Sequence, residues 1–505
     1  MPVVLRPDLR DLRVIGFFTG RIVSGLGLIM LLPVLLGLLR REIDDAMGLV
    51  IGAAFALILG LSANQWLHTD RDLTWSQAMA TVALSWLVAA FIGAVPLFLS
   101  GHYSSYLDAY FDAMSGFATA GLAVINDLDH VSDCINLWRH LMQFMGGQGL
   151  VLVALSLFAG GGGLTGLYIG EGREDKILPN VRHTAHFIWR VSLLYGLFGT
   201  VALWGAVLHA GMPPVEGLLH AVMLFMAAFD TGGFAPTAAS LGFYHSGVVE
   251  AVASVIMVAG ALSFALHYRI MQGRRPLHHL VSNFEVRILA VTATTLFAVA
   301  AIGLAQSGVY DSAEALFRRG FVNIISAHTG TGFGTIPGRL FVTQWGVLAP
   351  ALVVLAMAIG GMAGSTSGGI KALRLGLVLK AVVGDIRRIM VPANSVVIDS
   401  YNDGSKTRVI TTPAIRTASM IVLLYVLLYL VGALAGMFYG YTIQESLFES
   451  TSAAAAVGLS VGLVGPNLET GLKVVYIAQM WIGRLEFISV FALFGYGYAL
   501  LRGKP

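Results

Sequence analysis

The sequence IGGMAGSTSGGIK, residues Ile359–Lys371, interrupts an apolar segment that begins near Val347 and resumes at Ala372. Five glycines, two serines and a threonine stand where a membrane helix should continue. Because glycine costs about 1 kcal/mol relative to alanine inside a helix, this density predicts a break. Irregular backbone at membrane depth is tolerated only where it is buried in protein or lines a water-filled cavity. The stretch therefore indicates a permeation path.

A phosphate-binding loop is the alternative interpretation of the same stretch. Gly364 and Gly369 have the spacing of the two glycines of such a loop. Ile370 stands where the motif requires lysine, however, and Lys371 stands where it requires serine or threonine. No predicted strand precedes the stretch. These departures favour the cavity, and a membrane enzyme with a phosphate substrate is kept as the alternative from a different class.

The composition is that of a polytopic membrane protein. Of 505 residues, 56% are hydrophobic and only 12% are charged, whereas soluble domains have about 25% charged residues. The single cysteine, Cys134, excludes an internal disulfide framework and offers no zinc site. A net charge of +3 does not indicate nucleic acid, and excess Lys and Arg is typical of cytoplasmic loops. The histidines are scattered, so we expect no catalytic constellation and no enzyme.

A membrane-spanning helix needs about 20 mostly apolar residues, and ten segments qualify. The eighth of them is broken by the glycine stretch, and we expect the first to remain in the membrane rather than to be a cleaved signal peptide. The segments are Val14–Leu39, Met47–Leu67, Trp75–Leu99, Ile135–Leu157, Val191–Leu208, Val248–Tyr268, Ile288–Ala305, Val347–Ala358 with its continuation, Thr417–Tyr439 and Val474–Leu501.

Four shorter stretches between these segments share one pattern of apolar helix, small or hydroxyl residues, glycine, and then Leu or Phe. Their glycines, Gly121, Gly233, Gly332 and Gly458, recur roughly every hundred residues, which indicates an internal repeat. The predicted fold is an all-α polytopic membrane protein with four pseudo-repeats of helix, re-entrant pore helix and loop, and helix around a central pore. We divide the chain into an N-terminal helix pair (1–70) and repeats at 71–175, 176–275, 276–390 and 391–505.

The distribution of Lys and Arg orients these repeats. Positive residues cluster at Arg173–Arg190, Arg269–Arg287 and Lys371–Arg416, which the positive-inside rule places in the cytoplasm. Three of the four re-entrant stretches lie in segments without Lys or Arg, so we expect the loops to enter from outside. The third stretch contains Arg318 and Arg319 and departs from this pattern.

Four re-entrant glycine loops can form the filter of a cation pore. Such a filter replaces the hydration shell of the ion with backbone carbonyls, and glycine readily adopts the dihedral angles that this requires. The negative end of each half-helix dipole would favour a cation. The candidate filter residues are Ala118, Thr119, Ala120 and Gly121; Asp230, Thr231, Gly232 and Gly233; Thr329, Gly330, Thr331 and Gly332; and Ala456, Val457 and Gly458.

Five blocks of the sequence resemble the Trk/Ktr/HKT superfamily of potassium transporters, and in particular its TrkH-type pore subunits. The fourth filter, AVGLSVG (Ala456–Gly462), is closer to the Ktr pattern. The five blocks are LWRHLMQFMGGQG (Leu137–Gly149), FDTGGF (Phe229–Phe234), HTGTGF (His328–Phe333), GGMAGSTSGGIK (Gly360–Lys371) and IGRLE (Ile482–Glu486).

The resemblance implies a function for the filter and for the glycine stretch. Glycine at all four filter positions favours potassium, bound by the carbonyls of 119–121, 231–233, 330–332 and 456–458. A sodium or mixed-cation pathway of the same fold is the alternative. The glycine stretch becomes an intramembrane gate beneath the filter, and Arg484 projects toward the pore. The gate residues are Gly360, Gly361, Gly364, Ser365, Thr366, Ser367, Gly368, Gly369, Lys371 and Arg484.

The resemblance also implies an assembly in the bacterial inner membrane. Members are usually homodimers, each protomer with its own pore, on cytoplasmic RCK-type nucleotide-binding subunits of the TrkA kind. The expected substrate is the potassium ion. We expect no cofactor in this chain, with nucleotide only on the partner, no nucleic acid, and a lipid bilayer around the helices. The inner loop Gly384–Arg416 is either a docking surface for the partner or a solvated connection.

Several side chains have more than one interpretation. Asp230 either faces the pore or lies behind the filter, which we favour, and His328 is either a hydrogen-bonded support, which we favour, or a proton sensor. Arg484 either limits flux below the filter or forms a buried ion pair, for which Glu486 is a poor partner because residues two apart on a helix face different directions. Lys371 and Arg374 either bind loop carbonyls, contact a regulatory subunit or anchor the chain at the cytoplasmic surface.

Overall fold

The chain folds as a helical membrane protein, described by a computed structural model over residues 9–71, 73–150, 167, 170–171, 181–273, 275–392, 398–404 and 406–502. The N-terminal helices are α1 (Leu9–Ile29), α2 (Leu31–Arg40) and α3 (Ile43–Trp66). The first repeat contains α4 (Trp75–Leu99), α5 (Tyr106–Phe117), a 3₁₀ turn (Leu128–His130) and α6 (Asp133–Gln148). The second contains α7 (Val181–His209), α8 (Pro214–Phe229), a 3₁₀ helix (Ser240–Tyr244), α9 (Gly247–Ala261) and α10 (Phe264–Gln272).

The second half of the chain repeats this order around a broken helix. The short α11 (Pro276–Ser282) precedes the third repeat, which contains α12 (Phe284–Ser307), α13 (Ala313–Thr329), α14 (Leu340–Thr343), α15 (Leu348–Ala358) and α16 (Ala372–Met390). A hairpin of β1 (Ser400–Asn402) and β2 (Thr407–Val409) pairs Ser400 with Val409. The fourth repeat contains α17 (Thr412–Phe438), α18 (Ile443–Ala454), α19 (Thr470–Arg484) and α20 (Ile488–Leu501).

Six spans are long and apolar enough to cross a membrane, within the ranges just given. They are residues 10–40, α3, α4, α7, α12 and α17, and they coincide with six of the ten predicted segments. The predicted break of the eighth segment is also confirmed, because α15 ends at Ala358 and the next helix begins at Ala372. The fourth predicted segment, Ile135–Leu157, is helical as α6, and its last residues lie outside the described part of the chain.

Two segments predicted as single spans, Val248–Tyr268 and Val474–Leu501, are bent. The axes of α9 and α10 differ by 99°, and those of α19 and α20 by 111°. At the first bend, the Ser263 hydroxyl accepts a hydrogen bond from the Leu266 N–H at 3.2 Å and starts a new helix. At the second, Glu486 and Phe487 both have positive φ (51° and 73°), which ends the helix.

The four re-entrant helices begin at local caps between the spans. Ser105 and Ser312 each accept a backbone N–H of the first turn, Thr442 forms a capping box with Glu445, and α8 starts with Pro214. These helices, α5, α8, α13 and α18, have 12, 16, 17 and 12 residues. All are shorter than the roughly 20 residues needed to cross a bilayer. We call them the pore helices.

Three glycines seat the second helix of a repeat on the end of its pore helix. A Cβ on Gly146, Gly260 or Gly483 would overlap the carbonyl oxygen of the last pore-helix residue, which is Phe117, Phe229 or Ala454 respectively. Such close approach is what small residues allow between membrane helices. Since α6, α9 and α19 end within two residues of these contacts, these helices end at the depth where the pore helices end.

The N-terminal helices are fixed to the first repeat by a carboxylate. Both oxygens of Glu42, in the turn between α2 and α3, accept backbone N–H groups at the start of α6, from Asp133 and Cys134 at 2.9 Å each. A carboxylate at a helix N-terminus is favoured by the unpaired N–H groups there and by the helix dipole. Arg40 also pairs with Asp133 at 3.0 Å.

Candidate filter and gate

The four candidate filter loops have the same backbone conformation. In each loop the filter glycine and the residue two positions before it have positive φ. Three of the earlier residues are not glycine, and each left-handed residue of that kind costs about 1–3 kcal/mol unless its surroundings impose it. The pairs are Thr119 (52°) and Gly121 (73°), Thr231 (49°) and Gly233 (76°), Gly330 (73°) and Gly332 (89°), and Ala456 (53°) and Gly458 (103°).

The loops leave their pore helices through the same hydrogen-bonded turn. In each, the residue before the filter glycine donates its N–H to the carbonyl five residues earlier, as in a Schellman motif. This turn lets the chain reverse out of the helix at its C-terminal end, where the dipole is negative. The bonds are Ala120 to Ser115 (2.8 Å), Gly232 to Ala227 (2.8 Å), Thr331 to Ser326 (2.9 Å) and Val457 to Ser452 (2.9 Å).

The four loops form a closed ring. The space where a Cβ of each filter glycine would lie is filled by backbone of the neighbouring repeat. Gly121 lies against Gly232 O of the second repeat, and Gly233 against Thr331 O of the third. Gly332 lies against Val457 O of the fourth, which returns to the first where Gly458 meets Ala120 O. The predicted filter residues are therefore brought together around one axis, in chain order.

Two predicted filter residues lie at the edge of this ring. Thr329 is the last residue of α13, and its hydroxyl bonds back to Ile325 O at 2.8 Å. The Asp230 carboxylate accepts the side-chain amide of Gln148 at 2.7 Å, and Gln148 in turn accepts the Ser192 hydroxyl at 2.8 Å. These partners belong to α6 and α7, so the Asp230 side chain lies behind the filter.

The glycine stretch forms a loop with a closed neck. Gly360 N donates to Ile370 O at 2.9 Å, and Ile370 N donates to Ala358 O at 3.1 Å. A Cβ on Gly360 would overlap the Gly368 carbonyl, so the two limbs touch. The loop therefore leaves and re-enters the helical path at one point, between α15 and α16.

The tip of the loop is bonded to the second repeat and lies against the third and fourth. The Thr366 hydroxyl donates to Phe229 O and Gly260 O at 3.0 and 2.9 Å, and lies 3.2 Å from the Thr231 hydroxyl. A Cβ on Gly330 would meet the Ser367 hydroxyl, and one on Gly368 would overlap Ala455 O. The loop thus contacts the inner ends of three filter loops.

Arg484 contacts the remaining filter loop and the gate candidate together. Its guanidinium donates to Thr366 O at 2.6 Å, to Gly146 O at 2.5 Å and to the Thr119 hydroxyl at 3.1 Å. Thr119 belongs to the first filter loop, so loop and arginine together reach all four. Glu486 pairs with Arg374.

Two charged side chains, Lys371 and Glu285, also bind the loop. Lys371 donates to Ser367 O, which agrees with the predicted role of binding a loop carbonyl. Glu285, in the first turn of α12, accepts the Ala363 N–H at 2.7 Å. The sequence reasoning missed Glu285, because an acidic residue after a capping Asn283 is explained by the helix start alone.

His328 lies beside the third filter loop. Its Nε2 is 2.7 Å from the Thr292 hydroxyl of α12, and the side chain is buried. Across the described residues, no group of three or more His, Cys, Asp and Glu side chains is arranged to hold a metal ion.

The chain matches one family model over most of its length. The model is that of TrkH, described as a cation transport protein, and it covers residues 47–275 and 279–496. An uncharacterised cation transporter of Methanocaldococcus jannaschii is 29% identical, with 97% of both chains covered. The Trk system potassium uptake protein TrkH of Halomonas elongata is 28% identical, with 96% of this chain and 98% of that protein covered.

A solved structure has the same fold. The crystal structure of the potassium transporter TrkH from Vibrio parahaemolyticus superposes with a TM-score of 0.81 and 23% identity, covering 99% of both chains. Because the matching family is one of transporters, the phosphate-loop enzyme alternative for Gly364–Gly369 is wrong. The chain is a multi-pass membrane protein and belongs to the TrkH family of cation transport proteins.

Proposed function

We propose that the protein takes up potassium across the cell membrane through a filter lined by backbone carbonyls. The observation that carries the proposal is the closed ring of four glycine loops with one shared backbone conformation. Relatives named as potassium uptake proteins support potassium as the ion. A sodium or mixed-cation pathway is the competing proposal.

The proposed potassium ligands are the carbonyls of residues 119–121, 231–233, 330–332 and 456–458. Carbonyl dipoles replace the hydration shell of the ion, and the C-terminal ends of four pore helices add negative potential. Gly232 O also accepts the Gln143 side-chain amide at 2.5 Å. A carbonyl oxygen has two lone pairs, so this bond is compatible with a second partner on the axis.

We propose that the loop Gly360–Gly369 is the gate and that Arg484 is part of it. The proposal is supported by their contacts with the inner ends of all four filter loops. Opening requires the Thr366 and Arg484 bonds to break, after which the glycines allow the loop to move. Lys371 ties the loop to α16, through which a cytoplasmic element can act on it.

The transport proposal is tested in a bacterial strain that lacks its own potassium uptake. We expect the chain to restore growth at low external potassium, and potassium uptake to persist in a large excess of sodium. If sodium competes equally, the pathway is a mixed-cation one and the potassium proposal fails. Growth without any restored uptake of either ion would contradict cation transport through this chain.

The gate proposal is tested by shortening Gly360–Gly369. Because the shortened loop cannot reach Phe229 O and Gly260 O, we expect a higher potassium flux per protein in reconstituted vesicles. Replacing Gly205 of α7 by alanine is the control, since it lies outside the loop and nothing lies within 4 Å of its Cβ position. An unchanged flux in the shortened variant would remove the gate role.

We further propose a homodimer in the bacterial inner membrane that binds a cytoplasmic RCK-type subunit, with any nucleotide held by that partner. Support comes from exposed apolar side chains at the cytoplasmic end of α16, among them Val382, Ile386 and Ile389. We also propose that the chain divides into an N-terminal helix pair (1–70) and four pore repeats (71–175, 176–275, 276–390 and 391–505). Co-purification with a nucleotide-binding partner, lost when Ile386 and Ile389 are made polar, tests the docking surface.

A further inference from the structure

Polar side chains of the pore helices bind the chain just beyond the filter. In three repeats, the N–H three residues after the filter glycine is accepted by a side chain nine residues before that glycine. The two positions are fixed relative to the filter, so the contact repeats with the fold. The pairs are Val124 with Asp112 (2.8 Å), Thr335 with Asn323 (3.5 Å) and Val461 with Glu449 (2.9 Å).

Each of these side chains makes further bonds in the same place. Glu449 also accepts the Ser460 hydroxyl at 2.6 Å and the Leu463 N–H at 3.2 Å. Asn323 donates to the Thr335 hydroxyl at 2.7 Å. Asp112 accepts the Tyr103 hydroxyl at 2.9 Å and lies 3.4 Å from Arg139. The chain leaving the filter is therefore bound at two or more atoms in the third and fourth repeats and at Val124 N in the first.

The second repeat departs from this pattern in both positions at once. Leu224 stands where the other repeats have a polar side chain, and Pro236 stands where they have the bound N–H. Proline has no N–H, so a polar partner is not needed there. The loop is bound instead from α6, where Gln143 donates to Gly232 O at 2.5 Å and accepts the Phe234 N–H at 3.1 Å.

These side chains are fully buried. Asp112, Asn323, Glu449 and Gln143 all have 0% exposure. Burying a polar group is costly unless hydrogen bonds compensate for the lost water. The Gln143 bond to Gly232 O holds the backbone next to Thr231, and the bonds to Val124 N and Val461 N hold the chain five residues after Thr119 and Ala456. The left-handed conformations of these three residues persist only if the surroundings impose them.

We propose that Asp112, Asn323, Glu449 and Gln143 form a frame that keeps the filter selective for its ion. They are positioning residues, because they act through the backbone that carries the carbonyls rather than on the ion. The proposal rests on the proposed function of the four loops as a potassium filter. A filter held loosely binds ions of different radius with similar energy, so loss of the frame lowers discrimination before it lowers flux.

The test compares Glu449→Gln with Glu449→Ala in reconstituted vesicles, reading the ratio of potassium to sodium uptake. Glutamine keeps the acceptor oxygen, as asparagine does at position 323, so the ratio should stay within about twofold of the original. Alanine removes all three bonds, and the ratio should fall about tenfold, which corresponds to about 1.4 kcal/mol. Gln143→Leu, of similar size, should lower the ratio in the same way.

Ser450→Ala is the matched control. Ser450 is the next residue on α18 and is equally buried, but it bonds Tyr429 O at 2.6 Å and Gln479 at 2.9 Å, away from the filter. The ratio of potassium to sodium uptake of the Ser450→Ala variant should not change. An equal fall in Ser450→Ala would mean general loosening and would overturn the frame.

The remaining outcomes separate the frame from the filter itself. If the original chain is selective and both Glu449→Ala and Gln143→Leu keep its ratio of potassium to sodium uptake, the frame proposal is wrong. The proposal of a potassium filter is then unaffected. If the original chain does not discriminate between the ions, the proposed function fails first. Should Glu449→Ala not assemble, Asn323→Ala and Gln143→Leu provide the same comparison, with assembly checked by size-exclusion chromatography.

Discussion

At the filter glycines, the space for a side chain is already occupied by the next repeat. Gly332 is the tightest example, because a Cβ there would overlap Val457 O while φ is 89°. An L-residue rarely adopts this φ, so substitution meets both backbone strain and overlap. The glycines are thus required by the ring as a whole and not only by their own loops.

We expect Gly332→Ala to abolish selective potassium uptake while leaving the protein in the membrane. The methyl group must displace the fourth filter loop, and the carbonyl ring opens at that point. Uptake is measured in the potassium-uptake-deficient strain, with membrane abundance determined in parallel. Gly205→Ala is the control: nothing lies within 4 Å of its Cβ position, and it lies in a helix. Normal uptake by Gly332→Ala would contradict the ring.

We expect Arg484→Gln to raise potassium flux several-fold. The charge below the filter is lost, and with it part of the bonding to Thr366 O and Gly146 O that holds the loop in place. Flux per protein in vesicles is the measurement. A lower flux from a protein that still purifies as one folded species would count against the barrier role.

Individual residues were predictable where the chemistry is local. The filter glycines follow from the repeat, and the loop-binding role of Lys371 follows from its place after the glycine stretch. Asp112, Asn323 and Glu449 were missed, although their constant distance from the filter glycines is a readable signal. Their residue types differ, so no single motif marks them. Left-handed Thr119, Thr231 and Ala456 could not be predicted, since only tertiary contacts impose that conformation on such residues.

At the scale of elements, the helix that follows the proposed gate loop is connected to the bend between α19 and α20. Arg374, one turn into α16, pairs with Glu486 at that bend, and both side chains are less than 10% exposed. The two residues are 112 positions apart in the chain. The bends themselves escaped prediction because the sequence stays apolar through them, and composition does not show where an apolar helix changes direction.

We expect Glu486→Gln to lower the free energy of unfolding by about 3 kcal/mol, because the substitution removes the carboxylate that pairs with the buried Arg374 charge. Chemical unfolding in detergent measures this change. The control is Asp385→Asn, which breaks the exposed Asp385–Arg388 pair at 2.9 Å and should cost less than about 1 kcal/mol. Equal effects of the two substitutions would show that burial does not set the strength of the first pair.

At the scale of the molecule, one chain supplies a complete ring. The loops from the four repeats meet in chain order, and the N-terminal helices lie outside, anchored through Glu42. The repeat architecture was predictable, since four matching glycine loops recur between apolar segments. The order of contacts around the ring was not predictable. It depends on which loops lie next to each other in space, and the sequence alone does not show this.

We expect a transport-inactive chain to have no dominant-negative effect on an active chain. When the original chain and Gly332→Ala are produced together, uptake should fall in proportion to the inactive share, because each ring is closed within its own chain. The check is uptake against the measured ratio of two distinguishable tags. Uptake that falls much more steeply would mean that the pathway is shared between chains.

Within the described residues, the loop proposed as the gate occurs in the third repeat, whereas the candidate filter loop occurs in all four repeats. Four identical subunits around an axis would each bring such a loop, and four loops could not occupy the same narrow space beneath the ring. Joining the repeats in a single polypeptide removes that constraint: each quarter can change independently while the carbonyl ring is kept. Repetition therefore gives the ring of four loops, and the differences among the repeats give the loop that we propose as the gate.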